Sequence, residues 1–345
     1  MADNRVIEAI DLRKEFSVKV KRGKTRETKT LKAVDGINIY VNKGETLGIV
    51  GESGCGKTTT AKLLLGLHEA TDGKIMLGDK DIAHLKGKDL KGFRKQAQMV
   101  FQDPYESLNP RFKIKDTIME PLEIHGIGEN KAERYEMAKK ILNESGLRPA
   151  ETFMDRFPHE MSGGQRQRVA IARALVLSPE FLIADEPVSM LDVSIRAGIL
   201  KLLRKMIQGR GLAGIVISHD ISLIRYISDR TAVMYLGKVV EQGDTEDIIQ
   251  NRYHPYTRAL LGAAPNPDPE VKFTLDGIKG EAPNPVDLPS GCCFHPRCPE
   301  CMEICKLETP KETIMENGQT VLCHLYGEGE SNGEESTHIR GTHLG

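Results

Sequence analysis

No run of apolar residues in this chain comes near the roughly 18 that a membrane-crossing helix needs, so the chain is not expected to span a bilayer. Met1 to Lys14 is too polar for a signal peptide, which points to the cytoplasm. Charge of one sign is also missing. The 48 Lys and Arg nearly cancel the 49 Asp and Glu, which removes any global field that would favour nucleic acid or a membrane surface as partner. There is no internal repeat. Outside one region cysteine is almost absent: six of seven lie between Cys292 and Cys323, and the seventh is Cys55. In a reducing compartment such clustering suggests metal binding over a disulfide framework.

What the chain does have is alternation. Through the first three quarters, short apolar runs give way to helical patterns, as in an α/β fold with a largely parallel sheet. Strands are expected at 46–50, 97–101, 181–184, 214–217 and 231–235, and helices at 57–67, 131–145, 164–176, 193–207 and 221–227. Residues 103–161 lack strand patterning and hold helix formers broken by prolines, which predicts a helical insertion over about 103–163. Six prolines between Pro265 and Pro289 then end the pattern and set a domain boundary at about 262. Residues 263–326 form a proline-rich linker and a small cysteine-rich module, and 327–345 is expected as a disordered tail. Between Lys19 and Lys32 seven basic residues face only Glu27, and a solvated hairpin is the expectation there.

Gly51-Glu52-Ser53-Gly54-Cys55-Gly56-Lys57-Thr58 fits GxxxxGK[ST] and lies between an apolar strand and a helix, the context a phosphate loop requires. Its glycines let the backbone curl until N–H groups point at phosphate oxygens, aided by the helix N-terminus. Lys57 brings a charge to the β and γ phosphates, Thr58 offers a hydroxyl to Mg²⁺, and Thr59 belongs to the same cradle. Cys55 is expected to be a small filler and not a nucleophile. Alone, the loop leaves kinase, GTPase, motor and transporter ATPase open.

Other segments choose among these. Met161-Ser162-Gly163-Gly164-Gln165 opens a helical stretch and offers a second anion site at a helix N-terminus. Phe181 to Glu186 is an apolar strand ending in two carboxylates, suited to holding Mg²⁺ with one and orienting water with the other. Gln102 and His219 each follow an apolar strand. In this order, and with Ser189-Met190-Leu191-Asp192, the set resembles the ATPase subunits of ABC transporters. The resemblance implies an α/β, P-loop NTPase (RecA-like) core with an antiparallel β subdomain and a helical insertion. It also implies roles: Asp185, Thr58 and Gln102 around Mg²⁺, Glu186 as general base and His219 as γ-phosphate sensor. Gln102 would link the metal site to the insertion, Asp192 would lie between two such domains, and Phe16 would stack on adenine. For Phe16 a core position capping the first strand stays open. Met161 replaces the family's usual Leu at similar volume, so packing is expected to survive. In this family Ser162 to Gln165 close over ATP held by a partner's phosphate loop, making two shared sites.

Gln102 to Pro110, His254 to Leu260 and Gly291 to Cys298 are similar to stretches of oligopeptide and dipeptide importer ATPases, and the likeness spans about residues 6–326, leaning toward the second of two ATPase subunits. The implied partners are a homologous ATPase subunit in a heterodimer, two transmembrane permease subunits and an extracytoplasmic substrate-binding protein. The implied place is the cytoplasmic face of the membrane, with no nucleic acid involved. Nickel or oligosaccharide import is an alternative, and a soluble ABC ATPase a remoter one. Cys292, Cys298, Cys305 and Cys323 match four cysteines that hold a [4Fe-4S] cluster in some relatives. Cys293 and Cys301 bring the thiols to six, and the Cys298-Pro-Glu-Cys301 spacing also suits Zn²⁺, so zinc and free thiols remain open. His295 and His324 flank the group as further candidates.

Overall fold

The computed structural model describes residues 4–22, 25–262 and 280–326; the linker residues 263–279 and the expected disordered tail 327–345 lie outside the described residues. The chain opens with a long antiparallel hairpin, β1 (Arg5–Arg22) and β2 (Thr25–Asn42), paired from Arg5 opposite Asn42 to Arg22 opposite Thr25. The described part of the basic segment, residues 19–22 and 25–32, lies in its distal half, where Lys29 Nζ meets Asp287 Oδ1 at 2.5 Å. β3 (Thr46–Val50), every residue of it buried, then leads through the phosphate loop into α1 (Lys57–Leu64). The chain returns to the hairpin as β4 (Asp72–Leu77) and β5 (Lys80–Asp81), completing a four-stranded sheet in the order β2-β1-β4-β5.

α2 (Gly87–Gln96) delivers β6 (Ala97–Val100) to the main sheet. The expected insertion is helical, with α3 (Pro104–Ser107), α4 (Ile114–Ile124), α5 (Lys131–Glu144) and α6 (Glu151–Met154), before α7 (Gly163–Leu175). From there strand and helix alternate: β7 (Phe181–Asp185), α8 (Val193–Arg210), β8 (Ala213–Ser218), α9 (Ile221–Ile227) and β9 (Arg230–Tyr235). β3, β7 and β8 are buried on both faces, which is why each is a continuous apolar run; parallel strands covered on both sides need no alternation. One face packs against the insertion and helices α7 to α9, the other against α1 and the antiparallel sheet.

β10 (Lys238–Asp244) turns back antiparallel to β9, followed by α10 (Thr245–Asn251) and α11 (Pro255–Gly262). Glu241 on β10 is buried and accepts N–H groups from Tyr253 and His254 and the Gln319 amide, which fixes where α11 begins. The last elements are α12 (Glu303–Leu307), β11 (Glu312–Ile314) and β12 (Thr320–Leu322). They do not stand apart as a separate module. β12 pairs with β10, extending the main sheet to β11-β12-β10-β9-β3-β8-β7-β6. Phe294 enters the main core, its ring 5.2 Å from Tyr235 and 5.5 Å from Tyr256. A segment this short buries too little apolar surface by itself, and each large side chain lent to the main core returns about 1.5–3 kcal/mol.

Candidate functional site

β3, β8, β7 and β6 are parallel neighbours, so the residues that follow them meet along one edge of the sheet. That edge receives the phosphate loop from β3, Gln102 from β6, Asp185 and Glu186 from β7 and His219 from β8. A single topological fact therefore gathers residues scattered over nearly half the sequence.

In the loop, Gly56 has φ 107°, and a Cβ there would lie 2.3 Å from the Ala33 carbonyl oxygen. At Gly51 it would lie 2.2 Å from Met234 O, so neither position accepts a side chain. Lys57 begins α1, with Nζ donating to the carbonyls of Gly51 at 2.7 Å and Glu52 at 2.8 Å. Ser53, Gly54 and Thr58 are exposed, and Thr59 is half-buried. Cys55 is buried, and burial raises its thiol pKa against the pull of Lys57, which suits a filler and not a nucleophile.

Asp185 is only 4 % exposed. Burial raises its carboxyl pKa, Glu186 adds to the rise, and the Thr58 hydroxyl and Lys57 oppose it. Glu186 adopts φ 44°, a left-handed conformation uncommon outside glycine, held by its N–H donating to Ile217 O at 2.9 Å. The turn aims its carboxylate at two partners. Oε2 accepts from Gln102 Nε2 at 3.0 Å, and Oε1 lies 3.1 Å from His219 Nδ1.

Ser162 caps α7: its Oγ accepts from Gln165 N at 3.3 Å, and Gln165 Oε1 accepts from Ser162 N at 3.0 Å. Gly163 and Gly164 lie against Leu191 and Ile195, which sets this helix end beside the Ser189–Asp192 turn. Asp192 is exposed between Met190 and Val193, themselves 59 % and 78 % exposed. None of the described hydrogen bonds joins residues 161–165 to residues 51–59. Met161 is buried as a leucine would be. Phe16 is half-buried on β1, edge-on to His68 at 5.6 Å with Lys14 Nζ 5.0 Å from its ring, so it is not a core residue.

Three contacts have no local signal in the sequence. Tyr256 Oη accepts the Glu52 N–H at 2.9 Å, across 204 positions. Arg297 grips the Glu52 carboxylate with both terminal nitrogens, at 2.9 and 3.0 Å, across 245. The Arg166 guanidinium lies 3.8 Å over the Tyr105 ring, tying the start of α7 to α3. Tyr256 and Arg297 do fall in the His254 to Leu260 and Gly291 to Cys298 stretches, but pattern alone gave them no role.

Burial pushes the Cys292 thiol up to about 12, with Cys305 and Cys323 adding to the rise; it pushes Cys298 to about 11, with the same two neighbours contributing. These four are not set apart from the other two: Cys293 also adds to the rise at Cys292 while facing Lys238 and Asp35, and Cys301 lies beside Cys305 with its thiol directed at Met302 O. His295 Nδ1 and His324 Nε2 are occupied by the carbonyls of Cys292 and Glu308. Among the described residues no three His, Cys, Asp or Glu side chains are arranged as a group that could hold a metal ion.

Comparison with known proteins agrees with this geometry. Residues 34–189 match the family described as ABC transporter, and residues 240–305 the family described as Oligopeptide/dipeptide transporter, C-terminal region. The Oligopeptide transport ATP-binding protein AppF of Bacillus subtilis (strain 168) is 45% identical over 93% of this chain and 97% of its own. A dimeric ATP-binding cassette, MJ0796, solved in a post-hydrolysis state bound to ADP and Pi, is 28% identical with a TM-score of 0.60, covering 69% of this chain and 98% of that one. CbiO1 from Clostridium perfringens, part of the transporter complex cbiONQ, is 26% identical with a TM-score of 0.61, over 72% of this chain and 92% of that one.

Proposed function

The chain belongs to the ABC transporter ATPases, in their oligopeptide/dipeptide group, and on that premise we propose that it hydrolyses ATP in sites shared with a second, homologous ATPase subunit, driving peptide import. The observation that carries the proposal is Glu186, held in a strained turn at the sheet edge between Gln102 and His219. A carboxylate so oriented can align a water and accept its proton, with only β8 between its strand and the one that carries the phosphate loop.

The residues then take these parts. Loop N–H groups between Gly51 and Thr59, apart from that of Glu52, which Tyr256 takes, and the Lys57 ammonium hold the triphosphate. Thr58 and Asp185, with Gln102 beside them, are hard oxygen donors suited to Mg²⁺, which when bound would offset charge on the β and γ phosphates. Glu186 orients and deprotonates water, His219 senses the γ-phosphate, and the half-buried Phe16 gives adenine an aromatic face. Gln102 carries the state of this edge into α3, and the Tyr105–Arg166 stack carries it on to α7.

Ser162 to Gln165 are the anion-binding end offered to the partner's ATP. Their lack of hydrogen bonds to this chain's own loop, and the exposed Met190 and Val193 around Asp192, support that reading. The partner is a distinct ATPase subunit, two permease subunits receive the motion, and an extracytoplasmic protein delivers the peptide. No helix among the described residues is long and apolar enough to cross a membrane, consistent with a peripheral subunit at the cytoplasmic face. The match of residues 240–305 to the oligopeptide/dipeptide family favours peptide over nickel or oligosaccharide cargo. Copurification of the native complex tests this: two permeases and a second ATPase subunit are expected, with turnover raised by peptide-loaded binding protein. Soluble protein that turns over ATP and recovers no membrane partner would refute it.

For the thiols, a [4Fe-4S] cluster on Cys292, Cys298, Cys305 and Cys323 is our reading, and it rests on the match of these four positions to the cluster cysteines of some relatives, not on their arrangement. The donor type suits such a cluster, four thiolates being the usual requirement, and holding it would need the thiols to draw closer than they stand here. When bound, the cluster would cross-link 292–298 to the strand end at Cys323, and Cys293 and Cys301 would take no part.

A further inference from the structure

The phosphate loop is held from outside by the C-terminal segment, and the grip falls on one residue. Glu52 is the second residue of the loop, so its carboxylate stands beside a site built to receive a highly anionic triphosphate. Such a charge should be unwelcome there: unpaired, it would repel the phosphates, and two like charges about 8–12 Å apart in a partly screened site cost about tenfold in affinity. Arg297 removes the difficulty. It is 8 % exposed, engages both Glu52 oxygens and reaches the Tyr235 hydroxyl at 3.4 Å. Its Nε is buried with no partner among the described residues, so Glu52 supplies most of the compensation its charge receives. Tyr256 meanwhile takes the Glu52 N–H at 2.9 Å, so this donor is already satisfied.

Arg297 does not choose its position freely. It ends a short turn in which His295 N donates to Cys292 O at 3.0 Å and Arg297 N to Phe294 O at 3.0 Å, with Phe294 locked between Tyr235 and Tyr256. Displacement of residues 292–298 therefore displaces the guanidinium. A bidentate fork tolerates little shift before one hydrogen bond breaks.

We propose that Arg297 is a positioning residue of the nucleotide site: by holding and neutralising Glu52, it makes the ATP affinity of the phosphate loop depend on the placement of the C-terminal segment. The inference rests on the assignment of Gly51 to Thr58 as an ATP cradle and deepens it. It accounts for the C-terminal segment packing against the catalytic core: the segment completes the loop's electrostatics from behind.

The test is equilibrium Mg-ATP binding by the full chain, with steady-state kinetics on the copurified complex. Arg297→Gln should bind ATP about tenfold more weakly and raise KM with little change in kcat, since the repulsion acts on bound ATP before and during hydrolysis alike. Glu52→Gln combined with Arg297→Gln should recover affinity to within about threefold, because the offending charge is gone. Arg297→Lys should retain most of the affinity, as it keeps the charge and loses the fork. Thermal melting without nucleotide checks that each variant folds; where Arg297→Gln alone does not, the double variant and the lysine variant carry the comparison. Wild-type affinity in Arg297→Gln overturns the inference, as does a double variant as weak as the single one, which would make the residue merely structural. Wild-type protein that binds no ATP overturns instead the assignment of the loop on which the inference rests.

Discussion

Gln102 Nε2 donates to Glu186 Oε2 across 3.0 Å, joining the end of β6 to the end of β7. The contact means that the carboxylate proposed as general base is oriented by the residue that leads into the helical insertion. Position of the base and position of the insertion are therefore coupled.

The first prediction removes that base's charge. Glu186→Gln keeps the size and the hydrogen bond from Gln102, but the amide accepts a proton poorly. ATP binding should persist, hydrolysis should fall about 10²–10⁴-fold, and ATP-bound dimers with the partner subunit should accumulate. Single-turnover hydrolysis and gel filtration with ATP are the measurements; turnover at the wild-type rate would remove Glu186 from its role.

A second prediction concerns the relay beyond Gln102. Tyr105 is largely exposed, and the stack with Arg166 is worth about 0.5–1 kcal/mol at such a site. Tyr105→Ala should leave ATP affinity unchanged and reduce peptide-stimulated turnover about twofold to fivefold, whereas Tyr105→Phe should behave as wild type. Equal losses in both variants would point to the hydroxyl and away from the stack.

The buried Asp185 sets a pH dependence. Its carboxyl pKa is raised, mainly by burial, so it takes up a proton at higher pH than an ordinary carboxylate. Protonation displaces the donor that Mg²⁺ needs, so Mg-ATP affinity should fall as the pH drops through that raised value. For stability the sign is opposite. Above the folded pKa the protein carries an ionised buried carboxylate, and this cost disappears as acid is added. Asp185→Asn should therefore raise Tm at neutral pH, by about 2–4 °C for each kcal/mol recovered, while weakening Mg-ATP binding and flattening its pH profile. A lower Tm together with unchanged nucleotide affinity would contradict both halves.

The thiol reading is checked by elemental analysis. Protein purified without oxygen should carry about four iron atoms per chain with a broad brown absorbance, and Cys298→Ser should lose both while Cys293→Ser keeps them. Stoichiometric zinc with no iron would replace the cluster by a structural zinc site.

How much of this was legible beforehand follows from the kind of signal involved. The loop from Gly51 to Thr58 and the Asp185–Glu186 pair are local, since each needs only its own strand and turn. β3, β7 and β8 were legible for the same reason, as unbroken apolar runs. β1 and β2 are not legible as strands along their length, because exposed charges interrupt their pattern and register shifts between Ala9 and Leu12 break strict alternation. β10 was hidden by Glu241, a buried carboxylate in mid-strand that only tertiary partners make tolerable. Pro121 disguised α4, although the proline lies within that helix. The Arg297–Glu52 pair is beyond any local reading, because nothing near either residue refers to the other.

His254 supplies the last prediction. Its ring is fully buried and its Nδ1 accepts the Tyr256 N–H at 3.0 Å, which starts the helix that brings Tyr256 beneath the phosphate loop. Burial, with Arg258 adding, lowers its pKa from 6.5 to about 3. The folded protein therefore keeps the ring neutral where the unfolded chain takes up a proton, so between those values the unfolded state binds more protons and stability rises with pH. The contribution is complete above about pH 6.5 and declines by about 1.4 kcal/mol per unit below it, some 2 kcal/mol by about pH 5. His254→Asn offers a side-chain oxygen to the same N–H and does not titrate, so its melting temperature should fall less steeply between pH 7 and 5 than that of the wild type. Parallel slopes for the two proteins would show that the proton taken up on acid unfolding belongs elsewhere.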